Sequence, residues 1–166
     1  MAQNKITGYH GTSAAAADCI RREQHFREST NDDEWLGSGV YFFFYRRHAE
    51  NWIIRRKLKQ GTVLTVQLQY DDDAMLDLDD PNQMQSLNHE MESLNKLIND
   101  SISVQWPEKD ALHKRWCFGC NLYRQLHPEI GIISYTFPQK KTGVSNFHFN
   151  ERQLCVSQSE IIADIA

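Results

Sequence analysis

The sequence predicts an α+β fold in a single domain spanning residues 1–166. Helical and strand-like segments mix along the chain without the strict alternation that a doubly wound sheet requires. The chain has 166 residues, 40% hydrophobic and 24% charged, which suits one compact domain with a sizeable core and excludes a wholly disordered chain. No repeat, low-complexity tract or linker divides it.

Ile6 to Thr12 reads as a short strand ending in a polar turn. Ser13 is the expected N-cap of a helix from Ala14 to Arg22, with Ala17, Ile20 and Cys19 turned inward. His25 to Ser29 reads as another short strand, followed by an acidic turn, Asn31-Asp32-Asp33-Glu34. Trp35 to Gly39 is a glycine-bearing loop that feeds the aromatic run Val40 to Phe44. Such an unbroken apolar stretch implies a strand covered on both faces, with Phe42, Phe43 and Phe44 in the core. Arg46 to Leu58 is a second helix, with Ala49, Trp52 and Ile53 on one face. Thr62 to Gln69 is a strand rich in β-branched residues. Met75 to Leu78 is extended. Leu87, Met91, Leu94 and Leu97 recur at helical spacing and predict a helix over Gln83 to Asp100. Asp110 to Leu126 is a further helix, closed by His127-Pro128. Ile130 to Tyr135 is a strand, and Phe147 to Val156 ends in the strand Arg152 to Val156. The tail Ile161 to Ile165 is short and apolar.

No stretch approaches about 18 uncharged apolar residues, so no transmembrane helix is expected. Met1-Ala2-Gln3-Asn4-Lys5 lacks the apolar core of a signal peptide, which makes the cytoplasm the expected address. The net charge of −4 is unevenly spread. Residues 70–104 hold one Lys/Arg against nine Asp/Glu, a balance of −8, while residues 1–69 hold ten against seven, a balance of +3. A nucleic-acid partner is therefore compatible with the acidic total, because binding follows the local field. The acidic segment, Asp71-Asp72-Asp73 with Asp77, Asp79 and Asp80, lacks the glycine and closing glutamate of a calcium loop and reads as solvated. His113, His127 and His148 show no metal-ligand spacing, so no metal is expected. Cys117 and Cys120 form a C-x-x-C without a second ligand pair. Buried thiols on a helix are the expected reading, with a redox or metal protein as the competitor.

Two segments place polar or ring-bearing residues beside glycine at a strand–loop junction. They are Tyr9-His10-Gly11-Thr12-Ser13 and Trp35-Leu36-Gly37-Ser38-Gly39-Val40-Tyr41-Phe42. Glycine lets backbone approach a ligand closely. A histidine there can bond a hydroxyl, and a tyrosine can stack on a flat ring.

In this order and at this separation, the two segments resemble the ADP-ribosyltransferase family. More narrowly, they resemble its branch of poly-ADP-ribose polymerases and small bacterial toxins. A His-Gly-Thr first strand and a Gly-x-Tyr second strand, here Gly39-Val40-Tyr41 before His48-Ala49-Glu50, carry the likeness. The resemblance implies a split antiparallel sheet with flanking helices. It also implies NAD as co-substrate. His10 would hold an NAD ribose, and the Gly11 backbone would hold the nicotinamide carboxamide. Thr12 or Ser13 would support the loop or the ribose. Tyr41 would stack on the nicotinamide. The family also carries a glutamate or a substitute at the start of a late strand. Gln153 matches that position by register, directly before Leu154-Cys155-Val156. Glu151 carries the expected charge two residues earlier, where period-two geometry gives both one face. Gln153 leads on position, and single transfer rather than polymer growth follows from it.

The implied activity is mono-ADP-ribosylation of a nucleic-acid or protein acceptor, with release of nicotinamide. The implied setting is a toxin of a toxin–antitoxin or phage-defence system, with an antitoxin protein as partner. A non-catalytic NAD or ADP-ribose binding module and an NAD glycohydrolase are the alternatives. Arg46, Arg47, Arg55, Arg56, Lys57 and Lys59 set six positive charges against Glu50 on and after the second helix. That stripe reads as a guide for phosphates or nucleic acid, or as an ordinary solvated face. Trp35 is expected as a loop anchor or as a ring near the cleft.

Overall fold

The computed structural model of the chain describes residues 3–30, 34–99, 111–138 and 150–166. Asn31-Asp32-Asp33 of the acidic turn, the helix ends expected at Asp100 and Asp110, and Phe147-His148 lie outside the described residues. Strand β1 covers Gln3–Ser13, and helix α1 covers Ala14–Glu23. Strand β2 is Val40–Phe43, helix α2 is Arg46–Arg55 and strand β3 is Gly61–Asp71. Strand β4, Met75–Asp77, precedes helices α3, Pro81–Asn99, and α4, Ala111–Leu126. Strands β5, Ile132–Pro138, β6, Asn150–Val156, and β7, Ile162–Ile165, complete the fold.

These strands form one sheet in the order β4-β5-β6-β2-β1-β3-β7. Every pairing is antiparallel except β4 with β5, which is parallel, so the sheet is mixed rather than wholly antiparallel. β1 pairs with β3 along its whole length, from Gln3↔Asp71 to Ser13↔Gly61. Its pairing with β2 is confined to Tyr9↔Phe43. A side chain reinforces that narrow seam: His10 Nδ1–H donates to the Tyr41 carbonyl at 2.8 Å.

Alternation along β2 and β6 builds a core on each face of the sheet. Phe42, Leu154 and Val156 join Leu64, Val66 and Leu68 on the face that α1 covers through Ala17. Ile133 and Cys155 face the other way, with Leu36 beside them, and meet Leu87 of α3 and Cys120 and Tyr123 of α4. The aromatic run is thus covered on both faces, although Phe44 is only half-buried. Helix α2 lies on the α3–α4 side. Gly11 permits its close approach, since a Cβ there would stand 2.7 Å from the Ala49 carbonyl oxygen.

Ser13 caps α1 as expected, its Oγ accepting from Ala16 N–H at 3.3 Å. The segment His25 to Ser29 forms no strand and makes only a bridge, Ser29 with Gly39. Helix α2 stops three residues before Leu58. Arg56 caps it, and Lys57 adopts a φ of 54°, which a helix cannot continue. Cys117 and Cys120 are buried on α4, none of the four cysteines forms a disulfide, and no metal-binding group of His, Cys, Asp or Glu occurs among the described residues. Burial pushes the Cys120 thiol up to about 12, far from a reactive thiolate. No helix among the described residues is long and apolar enough to cross a membrane.

Two histidines set opposite pH dependences. His127 bridges the helices, its Nε2 2.8 Å from Glu90 and its Nδ1 3.4 Å from Glu129. The bond to Glu90 raises its pKa above the ordinary 6.5. Its stabilisation is therefore complete below about 6.5 and is lost as pH rises through the raised folded value. Burial lowers the pKa of His10, so its contribution is present above about 6.5 and is lost as pH falls toward the lowered value. Thermal unfolding from pH 5 to 9 checks this: His127→Gln should lower Tm most at acid pH, and the gap to wild type should close as pH rises.

Candidate functional site

A cleft of about 590 Å³ opens on the α2–α4 side of the sheet. Its floor is made by β5 and β6. Tyr135 lies opposite Gln153 and Phe137 opposite Glu151 across the antiparallel pair, so these four side chains share one face. Trp52 and Arg55 of α2, with Arg56 at its C-cap, form one wall, where Trp52 and Arg55 recur at the helical spacing of three. Leu112 and Trp116 of α4, with Trp35 from the loop before β2, form the other.

The second wall and the floor are a connected aromatic surface. Trp35 meets Trp116 at 5.8 Å and Phe137 at 5.7 Å between ring centroids, and Trp116 meets Tyr135 at 5.3 Å. His113 stands edge-on to Trp35 at 4.0 Å. On the first wall, the Arg56 guanidinium lies 5.4 Å over the Trp52 ring. Trp35 is thus both a loop anchor and a cleft-lining ring.

At the bottom sits Glu151, only 2% exposed. Arg55 donates to it through both terminal nitrogens, Nη1 to Oε2 and Nη2 to Oε1, each at 3.0 Å. The Gln153 amide donates to Oε1 at 3.1 Å. An unpaired carboxylate at this depth would cost several kcal/mol, about 3–5 for a broken buried pair, which is why the guanidinium is needed. The arrangement offers a flat aromatic slot, one carboxylate and two arginines.

The structure brings Glu151 and Gln153 together in the cleft, puts His10 on the other face of the sheet, and leaves Tyr41 on the cleft's own face but outside its lining. His10 pairs with Leu64 and packs edge-on against Phe26 and Phe42 at 5.1 and 5.9 Å, on the α1 face. Tyr41 points to the opposite face, where its hydroxyl donates to the Gly37 carbonyl at 2.7 Å and accepts from Leu36 N–H at 3.0 Å. Burial, reinforced by Cys155, pushes its phenol up, so it stays neutral. Neither side chain lines the cleft. His10 and Tyr41 thus turn to different faces of the sheet. Gly11 is closed over by α2, Thr12 pairs with Thr62 in the ladder, and Ser13 is spent on the α1 cap. Gly39 has a φ of 152° and would place a Cβ 2.6 Å from the Val156 carbonyl oxygen, so it fixes the loop entering β2.

Helix α4 holds that loop. Arg124 donates to the carbonyls of Ser38 and Cys155, each at 2.8 Å, and Asn121 Oδ1 accepts from Ser38 N–H at 2.7 Å. Of the basic stripe, Arg55 and Arg56 reach the cleft, whereas Trp116, Tyr135 and Phe137 were not singled out by sequence as site residues. The signal for Tyr135 and Phe137 was the shared register of β5 and β6, which gains meaning only once the strands are paired.

No family model matches the chain, and no solved structure matches it. A 64-residue segment, 39% of this chain, is 33% identical to the uncharacterized protein MJ0359 of Methanocaldococcus jannaschii, and spans 30% of that protein's length.

Proposed function

We propose that the chain is an NAD-dependent mono-ADP-ribosyltransferase whose reaction centre is the Glu151–Gln153 cleft. The observation that carries this reading is a buried carboxylate at the base of an aromatic-walled cleft, with an amide beside it and arginines at its edge. Nicotinamide in NAD is a flat cation, which tryptophan and tyrosine faces hold well. The arginines suit the diphosphate. The cleft volume lies within the usual ligand-pocket range of about 300–1,000 Å³.

In this reaction the bond between the nicotinamide nitrogen and ribose C1′ breaks, and its electron pair leaves with neutral nicotinamide. The ribose becomes an oxocarbenium cation. Glu151 stabilises that charge and accepts a ribose hydroxyl bond, while Gln153 orients the same hydroxyls. A nucleophile on the acceptor then attacks C1′ and loses its proton to water. His10 and Tyr41 act at a distance in this scheme: His10 ties β1 to β2, and Tyr41 holds the loop that presents Trp35.

Arg55 on Glu151 also favours a second reading, a module that holds NAD or ADP-ribose without cleaving it, because a paired carboxylate stabilises a cation less. Incubation with NAD labelled in its adenylate half, in cell lysate, separates the readings. Nicotinamide release with label fixed to macromolecules is the expected result, and nuclease or protease treatment then identifies the acceptor. Nicotinamide release without fixed label would make the protein a glycohydrolase. Binding without release would make it the non-catalytic module.

A further inference from the structure

We propose that Arg55 is a displaceable cover on Glu151, drawn off the carboxylate when a diphosphate enters the cleft. The inference rests on the reading of this cleft as an NAD site and goes beyond it by coupling anion recognition to the exposure of the reacting carboxylate.

The two partners occupy different environments. The Glu151 side chain is 2% exposed and that of Arg55 is 46% exposed, so the guanidinium meets the carboxylate from the solvent side. It does so as a fork, with two bonds of 3.0 Å. The same fork fits two oxygens of a phosphate equally well. Arg55 is also the last residue of α2, at the cleft edge beside Arg56, where an incoming anion meets positive charge first. A diphosphate therefore competes with Glu151 for one guanidinium. Once Arg55 turns to the phosphate, Glu151 keeps the amide of Gln153 and needs a further donor. A ribose hydroxyl of the same ligand supplies it. In the empty cleft the cover satisfies a buried charge, and in the loaded cleft it serves the substrate.

The sign of one mutational effect tests this. ADP is the probe, because it carries the diphosphate without the nicotinamide riboside, and calorimetry reads its affinity. Glu151→Gln removes a competitor for Arg55 and should bind ADP about tenfold tighter than wild type, the scale of one charge-assisted bond. Arg55→Gln should bind it about tenfold weaker, and Arg55→Lys should fall between and raise the KM for NAD more than it lowers kcat. Thermal melts establish that each variant is folded. A merely structural ion pair predicts weaker or unchanged ADP binding in Glu151→Gln, and either result overturns the cover. Wild type that binds no ADP overturns it too. Nicotinamide release by the same wild-type preparation tells the two failures apart, since release alongside either result removes the cover and leaves the NAD reading standing.

Discussion

Glu151→Gln should leave the protein folded and slow nicotinamide release by about two to three orders of magnitude, the cost of removing a preorganised charge stabiliser. The substitution keeps the shape of the side chain and its place beside Gln153, so the change is one of charge. Gln153→Ala should cost less, about tenfold, because an amide orients hydroxyls without opposing the developing positive charge. Initial rates of nicotinamide release for the two variants, at saturating NAD, give the comparison. The register of the sequence favours Gln153 for this role. The depth and charge of Glu151 favour the opposite order, and the measured order decides which residue meets the ribose.

Tyr41→Ala should destabilise the fold by about 3 kcal/mol, the lower end for deleting an aromatic ring, because this ring keeps some exposure. Tyr41→Phe should cost about 1–2 kcal/mol, since the Leu36 N–H and Gly37 carbonyl lose their shared hydroxyl. Denaturant midpoints check both. A ring that stacked on nicotinamide would behave differently: its removal would abolish turnover while leaving stability near wild type. Tyr41→Phe, assayed where it is fully folded, should keep kcat within about threefold and raise KM, because the loop it anchors carries Trp35 into the cleft.

Much of the fold was legible because its elements carry local signals. Ser13 before an alanine run, the β-branched stretch of β3 and the leucine spacing of α3 each predict an element without reference to the rest of the chain. The segment His25 to Ser29 forms no strand because five residues cannot supply their own pairing partner, and among the described residues only Gly39 offers one. The candidate site was less legible. Gln153 was found by its register before Leu154-Cys155-Val156 and Glu151 by its charge, and the period of one strand gives both a single face. Tyr135 and Phe137 join them only through the β5–β6 register, and Arg55 only through the packing of α2. The motif histidine and tyrosine were linked by the family resemblance, and a motif hides the face to which each side chain turns.

The narrow join between β1 and β2 has a mechanical meaning. Glu151 and Gln153 belong to the block β4-β5-β6-β2, whereas α2 also packs on β1 and β3 across that join. The fork from Arg55 to Glu151 is therefore a strut between two plates that share little backbone hinge material, Tyr9↔Phe43 and the rivet from His10 to Tyr41. The gap between the cleft walls is set by the pitch of one plate against the other. The His10 side chain, on the buried α1 face, thereby helps hold one wall of the cleft against the other.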